Sequence, residues 1–261
     1  MVGAHRIMRR PISRTSAVKQ ASHFNKVAAG YDHLIDKRQV EIDTLLLRSC
    51  ANIQDGDWVL DMGTGTGKIA LSLIEEFANL HVVGVDLSRN MLTIARSKSK
   101  KAKKRLAIEC YITNFLKLPF RDCVFDTVIV TYALHHVPKA LRLNALFEGR
   151  RVLRSKGNLA IFEVGKKHYE EALKAYFRSD TVAQSRLSIQ HLESLMAEAH
   201  FALRYSVDRK EFHELSVQHI AEYLKVQGIT TKGDVYSSLK NELSDPQRIT
   251  IERLLAVGAK T

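Results

Sequence analysis

The chain has 261 residues, 45% of them apolar, and a formal net charge of +12. This suffices for one sizeable α/β core with an elaboration, and it excludes a helical membrane span, because no apolar run approaches the roughly 20 residues such a span needs. Cys50, Cys110 and Cys123 are scattered without metal-ligand spacing; no metal is expected, and the thiols fit a reducing, cytoplasmic compartment.

The first 31 residues hold no acidic residue but carry Arg6, Arg9, Arg10, Arg14, Lys19 and Lys26. Residues 1–22 lack a periodic apolar face and are read as a flexible basic tail. The same composition suits an organelle transit peptide, the alternative to a cytoplasmic location. Residues 37–50 then place Val40, Ile42, Leu45, Leu46 and Leu47 on a broad helical face.

A short apolar run at 57–62 meets Asp61, and Gly63, Gly65 and Gly67 follow at every second position before a helical pattern over 67–78. Strand, glycine loop and helix in that order describe a backbone that can approach a ligand closely. A dinucleotide fingerprint starting at Gly63 needs glycine where Lys68 stands. A phosphate-binding loop ending in Gly67-Lys68 needs Ser or Thr at Ile69 and Gly at Met62. The acidic-x-Gly-x-Gly-x-Gly loop of class I S-adenosylmethionine (SAM) dependent methyltransferases fits Asp61 to Gly67 at each fixed position. A second apolar run, 81–86, ends in Asp86, about 20 residues after the glycines, where a carboxylate can accept both ribose hydroxyls of a nucleoside. Ser88 is the better placed cap for the helix over 89–104.

That helix closes on Lys98, Lys100, Lys101, Lys103, Lys104 and Arg105. Cations suit a helix C-terminus, and a solvated helix end competes with a docking patch for an anionic partner. Strands follow at 107–112, 125–131 and 157–164, with a helix over 140–153 that Gly157 is expected to end. Tyr169–Phe177 and Ile189–His200 read as helices and Phe201–Val207 as a strand. A return strand is expected over 252–261, after a helical insertion over 210–251. Alternating strands and helices imply a doubly wound, mostly parallel sheet with helices on both faces.

The chain resembles the class I methyltransferases of the UbiE-like ubiquinone/menaquinone group. The resemblance covers roughly residues 23–209 and rests on FNKVAAGYD at 24–32, the glycine loop, VGVDLS at 83–88, LPF at 118–120, FDTVIVTYALHHV at 125–137 and EGRRVLRSKGNLAIFEV at 148–164. It implies a seven-stranded Rossmann-like sheet, made of a SAM-binding core over 51–209 and the return strand over 252–261, with lid helices over 23–50, and SAM as cofactor, with S-adenosylhomocysteine as product. Gly63, Thr64, Gly65 and Gly67 would meet the methionine end, and Asp61 would orient its ammonium. Asp86 would hold the ribose, and Leu87, Met91 and Phe115 would pack about the adenine. Asn114 stands where the family usually has Asp, which implies a weaker grip on the adenine amino group. Tyr31 in the lid would approach the methionine end. Thr131, Tyr132, Leu134, His135 and His136 would line the acceptor side, with His135 or His136 as a general base.

The expected activity is methyl transfer to a small organic acceptor, with O-, C- and N-methylation all open. Methylation of a macromolecule (RNA, or a substrate on an acidic carrier protein) and a non-catalytic SAM-binding module are the alternatives. No aromatic residue interleaves the basic block, which weighs against single-stranded RNA.

Overall fold

The computed structural model describes residues 14–102, 108–165, 187–216, 218, 221–222 and 247–261. Its strands are β1 (Trp58–Met62), β2 (His81–Asp86), β3 (Glu109–Ile112), β4 (Phe125–Thr131), β5 (Leu153–Val164), β6 (Phe201–Leu215) and β7 (Gln247–Lys260). Its helices are α1 (Arg14–Tyr31), α2 (Lys37–Cys50), α3 (Lys68–Glu76), α4 (Arg89–Lys101), α5 (Arg142–Val152) and α6 (Ile189–Glu198). The strands form one sheet in the order β3-β2-β1-β4-β5-β7-β6. The first five run parallel, and β7 returns antiparallel between β5 and β6. Chain order reverses between β1 and β4, which opens a crevice at their C-terminal ends.

Both faces of β1, β2, β4 and β5 are covered, as their apolar runs require, while the edge strand β3 is largely exposed. Leu60, Met62, Val83, Val85, Val128, Val130 and Ile161 pack on one side with α5 and α6, through Leu146, Leu192 and Met196. Val59, Val82, Ile129, Ala160 and Phe162 pack on the other with α2, α3 and α4, through Leu47, Leu73 and Leu92. Among the described residues, no helix is long and apolar enough to cross a membrane.

Three boundaries depart from the sequence reading. The expected tail is helical from Arg14 onward, because α1 extends the lid helix backward and packs on α4. Gly157 does not end α5, which stops at Val152; it lies inside β5, where a Cβ would stand 2.9 Å from the Asp126 carbonyl oxygen of β4. Lys156, beside it, takes the positive φ of 66°. The expected insertion over 210–251 is shorter, since β6 runs to Leu215 and β7 starts at Gln247. Between Lys210–Glu252 and Leu215–Gln247 the two strands pair six times beyond the last β5–β7 pair, Val164–Arg253. The helix expected over Tyr169–Phe177, residues 1–13 and Lys103–Arg105 lie outside the described residues.

Candidate active site

The chain leaves β1 through Gly63, Gly65 and Gly67, at φ of 87°, 55° and 77°. The amides of Gly63 and Thr64 both donate to the Val85 carbonyl of β2 (2.8 and 3.1 Å), so the neighbouring strand holds the loop. The three glycines answer to different neighbours. A Cβ at Gly63 would lie 2.5 Å from that of Ala133, and one at Gly67 3.0 Å from that of Ala95. At Gly65 nothing lies within 4 Å, so this glycine alone of the three opens on free space. Thr64 is buried against Gly84, where a Cβ would stand 2.7 Å from its Cγ2.

Asp61 is 1% exposed, and neither carboxylate oxygen has a hydrogen-bond partner. Burial pushes its carboxyl up to about 7, against the nearby Thr64 hydroxyl and with the charge of Asp86. The Thr64 hydroxyl also lacks a partner; the two groups are close but outside full hydrogen-bond geometry. A buried polar pair left unsatisfied in this way at the end of a central strand requires a reason, and a bound donor is the usual one. Asp86 accepts from the Gly65 amide through Oδ2 (3.0 Å) and from the Ser88 amide through Oδ1 (2.8 Å). Burial raises its carboxyl and the two amides partly restore it. Each of its oxygens keeps a lone pair for a further donor. Ser88 caps α4 by accepting from the Met91 amide at 3.2 Å.

Met91 is buried and Leu87 half-buried. Phe115 packs on the core beside Gly63, with Cε1 3.7 Å from where a Cβ would stand. The Asn114 side-chain oxygen accepts from the Leu116 amide (2.9 Å), so it shapes a turn. Thr131 ends β4 in register with Phe162.

The lid lies across these groups. Asn25 Oδ1 accepts from the Ser88 hydroxyl (2.8 Å) and from the Asn90 amide (3.0 Å), which fastens α1 to the start of α4. Tyr31, the last residue of α1, stands edge-on to Phe24 at 6.3 Å. Asp32 accepts from the Thr66 hydroxyl of the glycine loop (2.6 Å) and pairs with Lys98. Lys68 donates to the carbonyls of Asp32 (2.8 Å) and Ile35 (3.1 Å), and Lys98 to that of Thr66 (3.1 Å). Lys98 is thus engaged with the lid and loop, although its sequence neighbours mark it as part of a solvated basic end.

The residues after β4 separate by direction. Tyr132 takes a φ of 52° and donates its hydroxyl to Asp43 of α2 at 2.6 Å, beneath the Arg253 guanidinium at 5.3 Å. It packs on the α2–α4 side of the sheet, while Leu134 is fully buried on the opposite side. Both are structural, which corrects their expected place on the acceptor side. His136 is edge-on to Phe24 of the lid at 4.9 Å, and its carbonyl accepts from the Gln20 side chain at 3.1 Å. Burial, with His135 and His23 nearby, holds its imidazole well below the ordinary range, so it is neutral. His135 differs: Glu163, at the end of β5, accepts from its amide through Oε1 (3.1 Å) and meets its Nδ1 through Oε2 (2.7 Å). The sequence reading missed Asn25, Asp32, Lys68 and Glu163. Asn25 and Asp32 lie within the FNKVAAGYD motif, and Glu163 is a charge at the end of an otherwise apolar strand, LAIFEV.

The family model described as "Methyltransferase domain" matches residues 59–157, the span from β1 to the Gly157 bend. The chain carries a class I SAM-dependent methyltransferase domain. It is 29% identical over 174 residues to a demethylmenaquinone methyltransferase of Listeria welshimeri, covering 64% of this chain and 72% of that one. It is 30% identical over 167 residues to the ubiquinone/menaquinone biosynthesis C-methyltransferase UbiE of Vibrio vulnificus, covering 60% of this chain and 62%, less than two thirds, of that one. Among solved structures, the YcgJ protein of Bacillus subtilis superposes with a TM-score of 0.63 at 20% identity, over 83% of this chain and 97% of that one. A Haemonchus contortus phosphoethanolamine N-methyltransferase, solved with phosphomonomethylethanolamine and S-adenosylhomocysteine, gives 0.57 at 21%, over 84% of this chain and 52% of that one. At those identities the likeness concerns the methyltransferase fold. The domain's cofactor is SAM.

Proposed function

We propose that this domain transfers a methyl group from SAM to a small organic acceptor, with Asp61, Gly65 and Asp86 as the centre of the cofactor grip. The observation that carries this reading is the buried Asp61 carboxylate, orphaned beside a loop whose one open glycine is tied to Asp86. The residues fit the ligand: Asp61 offers an acceptor for an ammonium, Asp86 a pair of oxygens for vicinal hydroxyls, and Gly65 room for close approach. Met91, Leu87 and Phe115 supply apolar surface near them. When bound, SAM supplies a methyl on a cationic sulfur that leaves as a neutral thioether.

The rest falls to the protein. Tyr31 and the lid close the methionine end, and Asp32 fastens that lid to Thr66. Thr131 sits at the strand end beneath the acceptor. His135 is the base of the two histidines, since its side chain is 13% exposed and partnered by a carboxylate, whereas His136 is buried, neutral and occupied by the lid. The names of the curated relatives, quinone-pathway methyltransferases, support a small acceptor over RNA or a carrier protein. Lys98 is taken up internally, which removes one charge from the expected anion-docking patch.

Calorimetric titration with SAM and S-adenosylhomocysteine tests the grip, followed by radiomethyl transfer to small-molecule and macromolecular fractions of a cell extract. The reading expects binding of both nucleosides and label in the small-molecule fraction alone. Asp86→Ala is expected to lose at least 100-fold in affinity, since it removes the ribose acceptor and frees the Gly65 amide. Label confined to RNA or protein would overturn the substrate class, and an Asp86→Ala variant with unchanged affinity would overturn the grip.

A further inference from the structure

Glu163 is 0% exposed, and both of its carboxylate oxygens meet His135; Oε2 also accepts a longer bond from the adjoining Val164 amide (3.4 Å). A bond from Oε1 to the His135 amide is enough to fix the loop after β4. The second bond, from Oε2 to Nδ1 at 2.7 Å, adds nothing to the backbone and instead sets the ring. We infer that Glu163 is a positioning residue that holds the proton of neutral His135 on Nδ1, leaves Nε2 bare to take a proton from the acceptor, and so matches this site to acceptors methylated at an ionisable O–H or C–H.

The surroundings agree. Nδ1 and Nε2 lie on opposite edges of the ring, so a carboxylate on one turns the other away from it. Register places Phe162 beside Thr131, so Glu163, the last-but-one residue of β5, and His135, in the turn after β4, meet at the C-terminal edge of these adjacent strands. Among the described residues, the charged and titratable groups near the pair include His136 on the same turn, His23 of α1 beside His136, Arg142 at the start of α5, and buried Glu252 of β7, which lies over Gly165 just past the end of β5. The Arg142 guanidinium donates to the carbonyls of Val137 (3.1 Å) and His135 (3.3 Å) and lies within electrostatic reach of Glu163. The acceptor's proton passes to Nε2, and the electron pair left on its oxygen or carbon forms the new bond to the methyl carbon. The pair of the broken carbon–sulfur bond stays on sulfur. An acceptor with a free lone pair, such as a tertiary amine or thioether, has no use for this arrangement.

The inference rests on the methyltransferase reading, and two measurements separate them. The first is the nitrogen-15 NMR signature of the His135 ring in the wild-type full chain without cofactor, which is expected to show Nδ1 protonated and Nε2 bare at neutral pH. Glu163→Gln is expected to erode that preference, to lower kcat by about 100-fold or more, and to leave SAM affinity within twofold. Glu163→Asp, which keeps the charge, should recover part of the loss. A wild-type ring protonated on Nε2, or a Gln variant with full kcat, overturns the inference alone. Absence of methyl transfer by the wild-type chain to any small molecule overturns the methyltransferase reading and this assignment with it. The wild-type NMR signature needs no variant, so a Gln variant that fails to fold leaves the inference open to refutation.

Discussion

Replacing Asp61 by Asn separates the stability of this domain from its cofactor grip. In the folded protein the Asp61 carboxyl is raised from 3.8 to about 7 by burial. The native state therefore holds the proton more tightly than the unfolded chain. Stability from this group is full below about pH 4 and is lost as pH rises towards 7. The gap of about 3 units, at 1.36 kcal/mol each, makes the ionised side chain cost about 4 kcal/mol above pH 7. Asn escapes that cost but brings an unpaired amide, a roughly constant penalty of about 1–3 kcal/mol. The stability of Asp61→Asn minus that of the wild type should rise by about 4 kcal/mol between pH 4 and pH 8.5. Urea unfolding of both proteins across that range, at fixed ionic strength, measures it. SAM binding should run the other way: wild-type affinity falls about 16-fold from pH 7 to 5.5 as the carboxylate takes its proton, and the variant is weaker with a flatter profile. A stability difference that does not change with pH would refute the argument, because the amide's cost alone has no pH dependence.

The glycines give a contrast. The Cβ of Gly65→Val would meet no atom of the protein within 4 Å, so the variant should cost about 1–2 kcal/mol of stability from its positive φ, yet abolish SAM binding by calorimetry. Gly63→Ala, whose Cβ would stand 2.5 Å from Ala133, should lower the unfolding free energy measured by urea titration by about 2–4 kcal/mol, in addition to any loss of affinity. Equal stabilities for the two variants would sink the distinction. Asp32→Asn removes the charge that Lys98 meets and weakens the hold on Thr66; limited proteolysis within 14–36 should speed several-fold, and S-adenosylhomocysteine should dissociate faster in stopped flow. An unchanged cleavage rate would show that the lid is held elsewhere. Tyr132→Phe leaves Asp43 without its hydroxyl donor and should cost about 1–3 kcal/mol while kcat stays within twofold; a large loss of turnover would return Tyr132 to the acceptor side.

The parallel sheet was legible because its buried strands β1, β2, β4 and β5 leave short apolar runs, and these, with the exposed edge strand β3, ended where the structure ends them, at Met62, Asp86, Thr131, Val164 and Ile112. The glycine loop and the Ser88 cap were legible for a similar reason, since their spacing is local. Asp32 and its partners Thr66, Lys68 and Lys98 were not. They are 34 residues or more apart in part, and no short window reports a bond of that separation. The histidine pair looked equivalent in sequence, and only the carboxylate arriving from β5, 28 residues on, separates His135 from His136. The polar stretch Asp208–Glu214 concealed the continuation of β6, whose strand is set by pairing with β7 rather than by an apolar face. The alternation Arg248-Ile249-Thr250-Ile251 did carry the signal for an earlier start of β7.

The long β6–β7 ladder has a consequence for how this scaffold tolerates change. Leu215 pairs with Gln247, so the residues between them leave and re-enter the fold side by side. The six pairs past the end of β5 carry that junction about 20 Å beyond the last bond to the parallel strands, on the side where those strands end. Closing a longer or shorter segment across fixed neighbouring ends costs little, because the entropy grows only with the logarithm of length. A change of length between Leu215 and Gln247 is therefore expected to leave the register of the cofactor-binding strands as it is.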